Sequence, residues 1–182
     1  MKFKSSPKTG NLVVELEPGN TRLIADLNGP ISELKKLLVP IDFSDCSKHA
    51  LKYGIAFAKQ FKGEITLLSV IADTPTSFEY GNAEFASLQD ARRKHYEKEL
   101  KKVADTQLKN IPHKLMVTIG KPFEEIVSAA KTLDTDLIII STHGHMGFTR
   151  VELGSTAERV IRYATCPVLV VRQKEREFVP PV

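Results

Sequence analysis

The stretch Ser141-Thr142-His143-Gly144-His145-Met146-Gly147, continued through Phe148-Thr149-Arg150-Val151-Glu152-Leu153 to Gly154-Ser155-Thr156, carries the residue types needed to hold an anion. A helical pattern begins at its far end, where Ala157, Val160 and Ile161 fall on one inner face. Backbone N–H groups at a helix start lack intrahelical partners, glycine lets a ligand approach the main chain, and the Ser155 and Thr156 hydroxyls add donors. The competing role is local, with Ser155 as the helix cap and Gly154 as the turn before it. Loop composition by itself favours the cap. A second polar loop, Asp42-Phe43-Ser44-Asp45, also precedes a helix, which either Ser44 or Asp45 can cap.

Other reactive side chains add less. His143 and His145 flank Gly144 as a metal pair would, but no third ligand stands at a matching spacing, and a loop role is the stronger reading. Arg150 either neutralises an anion or is solvated, and Gly147 serves loop geometry. The two cysteines, Cys46 and Cys166, have no C-x-x-C spacing and read as small buried hydrophobes.

For two loops to act together, the elements around them must converge. From Lys35 onward, apolar runs alternate with helical patterns. Lys36 to Ile41 reads as a buried strand, and the helix after it turns Leu51, Gly54, Ile55 and Ala58 to one face before Phe61-Lys62-Gly63 ends it. Glu64 to Ile71 is a second strand, and a long helix from about Glu84 to Lys109 aligns Tyr96, Leu100 and Val103. Lys114 to Ile119 is a third strand, turned by Gly120-Lys121-Pro122 into a helix whose buried stripe is Ile126, Val127, Ala130 and Leu133. Asp136 to Ser141 is unbroken in its apolar character, which predicts a central strand covered on both faces. A helix near Ser155 to Tyr163 and a fifth strand from Cys166 to Val171 complete a doubly wound α/β domain, a five-stranded parallel sheet with helices on both faces. In such sheets ligands bind outside the carboxyl ends of the strands, where the strand order reverses. If the first and fourth strands flank that point, the two polar loops face each other across one crevice.

Residues 1–34 differ in texture, broken by Pro7, Gly10, Glu17-Pro18-Gly19-Asn20 and Asn28-Gly29-Pro30. Leu12 to Leu16 and Thr21 to Ala25 flank the Pro-Gly-Asn turn and suggest a β-hairpin; the alternative is a loose arm packing on a neighbouring subunit. The formal net charge is +4 and the isoelectric point is near 9.0. The densest basic run, Arg92-Arg93-Lys94-His95 with Lys98, Lys101 and Lys102, is interleaved with Glu97 and Glu99. A solvated helix face accounts for it better than a nucleic-acid patch, since no aromatic residues stand at stacking spacing. The N-terminus, Met1 to Pro7, begins with basic residues, but no continuous apolar stretch follows it as a signal core or membrane span would, and the cytoplasm is the expected location.

The spacing Ser141-x2-Gly144-x9-Gly154-Ser155 resembles the nucleotide loop of the universal stress protein family, usually glycine-x2-glycine-x9-glycine-serine or threonine. Val39-Pro40-Ile41-Asp42-Phe43-Ser44, Leu67-Leu68-Ser69-Val70, Gly120-x-Pro122, Thr142-His143-Gly144 and Cys166-Pro167-Val168-Leu169-Val170-Val171 extend the resemblance over about residues 35–173. It implies a family domain over 35–174, of the adenine nucleotide alpha hydrolase-like type, between the N-terminal extension and a tail at 175–182. It further implies that Asp42 contacts the nucleoside, that the main chain at Val70 reads the adenine edge, and that Gly144, Gly154 and Ser155 hold the phosphates, with Thr156 extending that site. An ionised carboxylate accepts two hydrogen bonds and so suits ribose hydroxyls, although Asp42 can also cap the first helix. Ser141 stands where the family's first glycine usually does, adding a Cβ and a hydroxyl to the same site.

The implied function is a stress-response regulatory module that binds ATP, ADP or AMP, with or without Mg²⁺, and has little or no catalysis. The chain has no Walker A loop, no HxGH motif and no Ser-Gly-Gly pattern after the first strand. An interaction protein of the same fold that has lost the nucleotide is the alternative, favoured by Ser141. A slow ATPase or adenylyl-transferring enzyme, with Asp42 or Asp45 on Mg²⁺ and Arg150 on the transferred phosphate, carries least weight. The apolar strand Val168 to Val171 would be an exposed sheet edge unless covered, so a homodimer paired through it is expected, beside a protein partner that the residues do not identify.

Overall fold

A computed structural model describes residues 2–5, 12–15, 34–73, 82–142 and 153–172. The chain divides into two compact units, Met1–Ser32 and Glu33–Val182. In the first, β1 (Lys2–Ser5) pairs antiparallel with β2 (Leu12–Glu15), Phe3 lying opposite Val14. The expected strand at Leu12 is present, but its partner precedes it in the chain. Thr21 to Ala25, the expected partner, lies outside the described residues. Pro7 and Gly10 punctuate the intervening sequence as strongly as Pro18-Gly19 does the one that follows, so turn chemistry alone does not choose between them.

The second unit is a five-stranded sheet. Its elements are β3 (Lys36–Pro40), α1 (Asp45–Phe61), β4 (Glu64–Ala72), α2 (Asn82–Gln107), β5 (His113–Gly120), α3 (Pro122–Thr132), β6 (Leu137–Ser141), α4 (Ser155–Tyr163) and β7 (Val168–Val171). The strand order is β5-β4-β3-β6-β7, with every neighbouring pair parallel. All five β6 residues are buried, as their apolar run requires, though the middle place goes to β3 and β6 lies beside it.

Alternation along the strands divides the core in two. Leu37, Val39 and Ile41 turn towards α1 and α2, packing with Leu51, Ile55, Leu100 and Val103, whereas Leu38 turns towards α3 and α4, packing with Ile126, Ala129 and Val160. The α1 stripe is as expected, and Gly54 on it lies so close to β3 that a Cβ there would stand 2.9 Å from Val39 Cγ2. On α3, Ala129 is buried where Val127 was expected and Val127 is half-buried. On α4, Ala157 and Val160 are buried but Ile161 is 45% exposed, because the nine-residue helix presents only a narrow stripe to the sheet. Both cysteines are half-buried thiols rather than core residues.

The first strand of the sheet is tied to the fourth at its amino end. Asp136 Oδ2 accepts the N–H groups of Lys35 and Lys36, each at 2.7 Å. From β3 the chain adds β4 and then β5 on one side, and after α3 it returns to place β6 on the other. The order therefore reverses between β3 and β6, and a crevice opens beyond their carboxyl ends.

Candidate functional site

The loop after β3 makes one wall. Asp42 Oδ1 accepts the N–H of Ser44 at 3.1 Å and its hydroxyl at 2.5 Å, while Ser44 Oγ caps α1 by accepting the N–H of Ser47 at 3.2 Å. Ser47 returns its hydroxyl to the Ser44 carbonyl at 3.0 Å and lies 3.4 Å from the Asp42 N–H, for which its oxygen is the acceptor. Of the two expected caps, Ser44 is the one used, and Asp42 supports it from behind. Asp45 lies in the first turn of α1, 3.8 Å from Lys48 Nζ. The turn passes through Phe43 at φ 66°, a left-handed conformation rare for a bulky residue. The Phe43 ring meets Tyr96 of α2 edge-to-face, with centroids 5.7 Å apart.

Cys46, one residue into α1, has its thiol pKa raised, first by burial and then by the nearby Asp42 and Asp45 carboxylates. Burial also dominates the upward shift at Cys166. Both effects favour the neutral thiol, which is the poorer nucleophile.

The rim beside β3 is formed by the end of β4. Glu64 N–H donates to Lys35 O at 2.6 Å and Leu68 O accepts from Ile41 N–H at 2.8 Å, so the even-numbered residues of β4 turn their main-chain groups towards β3. Val70, two residues further on, turns its N–H and C=O the same way, above Pro40, the last β3 residue in the ladder. Buried Ser69 donates its hydroxyl to Ile41 O at 2.9 Å and fixes the chain where it leaves β3. Arg92 of α2 reaches the Ala72 carbonyl at 3.3 Å.

The opposite wall comes from β6 and α4. Ser141 is the last residue of β6, paired with Val171 and 8% exposed. Its φ is not among the positive values, so this position makes no conformational demand for glycine. Thr142, equally buried, donates its N–H to Val171 O at 3.0 Å and accepts the N–H of Gly154 at 2.8 Å. Gly154, not Ser155, is the N-cap of α4, at φ −61° and ψ 145° with no side-chain cap. Ser155 is the exposed first helical residue, and Thr156 beside it is half-buried. Glu158 N–H makes the first helical bond back to Gly154 O, leaving the Ser155, Thr156 and Ala157 amides at the helix start without intrahelical acceptors. Gly144, His143, His145, Gly147 and Arg150 lie outside the described residues.

Asp42, Val70, Ser141, Gly154, Ser155 and Thr156 therefore stand at the carboxyl end of the sheet, around the β3–β6 switch point. Ser47, Ser69 and Tyr96 support this region without having been singled out for it. Ser47, at the third residue of α1, had a legible signal in its spacing from Ser44. Among the described residues, no group of three or more His, Cys, Asp or Glu converges on a possible metal site, and no helix is long and apolar enough to cross a membrane.

Comparison with known proteins agrees with the fold. Residues 33–172 match the model of the universal stress protein family. Universal stress protein MJ0531 of Methanocaldococcus jannaschii is 35% identical over 149 residues, covering 79% of this chain and 85% of that protein. The solved structure of MJ0577 from the same organism superposes with a TM-score of 0.70 at 31% identity, covering 78% of this chain and 98% of its own. A universal stress protein solved in complex with cAMP shares the fold at a TM-score of 0.54 and 20% identity, covering 78% and 98% respectively.

Proposed function

The chain belongs to the universal stress protein family, and from that premise we propose that it binds an adenine nucleotide, ATP foremost, in the crevice beyond β3 and β6. It acts as a regulatory module with little or no catalysis. The observation that carries this reading is the convergence of an acidic loop, the end of β4 beside it and a helix start without a side-chain cap on one switch point.

In this reading Asp42 accepts the ribose hydroxyls, retaining the Ser44 bonds on one carboxylate oxygen. The Val70 main chain supplies a donor and an acceptor, the complement of an adenine edge. The phosphates lie against Gly144 and against Gly154, Ser155 and Thr156, where the helix start offers N–H groups and hydroxyls. Ser141 adds a hydroxyl beside them. Mg²⁺ bound with the nucleotide would neutralise part of the phosphate charge. That a family member of this fold holds cAMP is a property of that protein, and it supports an adenine ligand here by analogy.

Mass spectrometry of small molecules released from the purified protein, followed by calorimetric titration with ATP, tests the reading. Gly154→Val is the control, since φ −61° and ψ 145° suit any residue and the added side chain blocks a ligand's approach to the main chain. Bound nucleotide in the wild type and lost heat in the variant are expected. Absence of both nucleotide and heat at millimolar ATP rejects it and leaves an interaction protein of the same fold.

The same premise extends to assembly. β7 pairs with β6 alone in the sheet, and Val168, Leu169 and Val170 are only half-buried, so a second copy pairing along β7 would cover this edge. Sedimentation at micromolar concentration distinguishes such a dimer from a monomer.

A further inference from the structure

We propose that Tyr96 is a positioning residue for Asp42, acting through Phe43 and linking the long helix α2 to the acidic wall of the crevice. Phe43 lies between Asp42 and Ser44 and takes φ 66°. A bulky residue is held in this region only when its surroundings over-determine it. The left-handed step lets the Ser44 N–H and hydroxyl fold back on Asp42 Oδ1, and thereby aims the carboxylate. Something outside the turn must hold it.

Tyr96 supplies that hold. It belongs to α2, and its ring meets Phe43 at an interplanar angle of 67°. Phe43 packs against the same core cluster as Leu100 and Val103, the next residues on Tyr96's face of the helix. Four residues before Tyr96, Arg92 binds the Ala72 carbonyl, so α2 is tied to the end of β4 and to the turn after β3 along one face. A displacement of α2 is thereby transmitted to Asp42, and a ligand held by Asp42 in turn restrains α2, because such coupling is reciprocal. Nucleotide affinity enters only as a consequence and rests on the reading above; the positioning itself does not.

The test therefore has two arms, using the full chain with Tyr96→Ala and Tyr96→Phe. Amide hydrogen exchange at Ser44 and Ser47, with Ile138 in the distant β6 as control, reads the turn without any ligand. Calorimetric ATP titration, alone and in an Asp42→Ala background, reads the consequence. Tyr96→Ala is expected to speed exchange at Ser44 and Ser47 and weaken ATP binding by roughly two- to tenfold, the range of an aromatic pair. Ile138 exchange should stay unchanged, Tyr96→Phe should restore both readouts, and Asp42→Ala should abolish the effect of Tyr96→Ala on affinity.

Unchanged exchange at Ser44 and Ser47, an equal rise at Ile138, failure of Tyr96→Phe to rescue, or an undiminished affinity loss without Asp42 would each overturn the proposal. If the wild type binds no ATP, the nucleotide reading falls and the exchange arm alone decides. Should Tyr96→Ala not fold, Tyr96→Leu keeps apolar bulk without the aromatic edge and carries the same expectations.

Discussion

Gly154 donates its N–H to the carbonyl of Thr142 at 2.8 Å, joining the two chain ends that flank the intervening eleven residues. That bond places the start of α4 beside the end of β6. Gly154→Pro removes the donor while keeping a φ close to the observed −61°. Its loss is expected to cost about 1 kcal/mol in denaturant unfolding and to weaken ATP binding as well. Unchanged stability would show that the loop base is held by other contacts.

A serine at the same cap separates stability from binding. Gly154→Ser supplies the missing side-chain acceptor for α4, which should raise stability by about a few tenths of a kcal/mol. The added side chain stands where a phosphate would approach, so affinity should fall. Parallel thermal melts and ATP titrations check that the two signs are opposite.

Ser141 departs from the family's glycine in an extended strand position that any residue can adopt. Ser141→Gly should therefore destabilise by roughly 0.5–1 kcal/mol through backbone entropy. Loss of its hydroxyl from the proposed phosphate site should weaken ATP binding by roughly two- to tenfold, the worth of one hydrogen bond. A large gain in affinity would mean that the serine side chain obstructs the ligand.

In the core, Gly54→Ala sets helix propensity against packing. The gain is about 1 kcal/mol, but the new Cβ would stand 2.9 Å from Val39 Cγ2, on a short, branched and fully buried side chain of β3. Overpacking of this kind costs about 1–3 kcal/mol. The melting temperature should therefore fall, by about 2–4 °C for each kcal/mol lost at this size.

The Cys46 thiol gives a pH readout. Its pKa is raised from 9.0 by burial first and by Asp42 and Asp45 second. Alkylation at Cys46, followed by peptide mass mapping, should thus reach half-maximal rate above pH 9.0, and Asp42→Asn should lower that midpoint. The unfolded thiol ionises first, so this group's contribution to stability is complete below pH 9.0 and declines as pH rises towards the folded pKa. A midpoint indifferent to Asp42→Asn would remove Asp42 from the vicinity of the thiol.

The sheet was legible because its determinants are local: the unbroken run at Leu137 to Ile140 and the Leu51, Gly54, Ile55, Ala58 stripe report burial through period alone. Ile161 is exposed against expectation because a nine-residue helix has a narrower buried stripe than its apolar residues suggest, and Tyr163 is exposed with it. The order of β3 and β6, on which the crevice depends, follows from which strands pair rather than from either strand's composition. Least legible was the turn at Phe43. Its left-handed φ and its contact with Tyr96 join residues more than fifty apart, and no pattern within Asp42-Phe43-Ser44 announces either.

The Asp136 carboxylate that gathers the Lys35 and Lys36 amides spans a sequence separation of 101 residues. β3 meets β4 after a single helix, but it meets β6 only when most of the chain is available. Closing such a long-range joint is slow relative to forming the helices on either side of it. On an emerging chain the crevice does not exist until that joint has closed. Nascent chains of increasing length should therefore protect the Lys35 and Lys36 amides only once Asp136 and β6 have emerged.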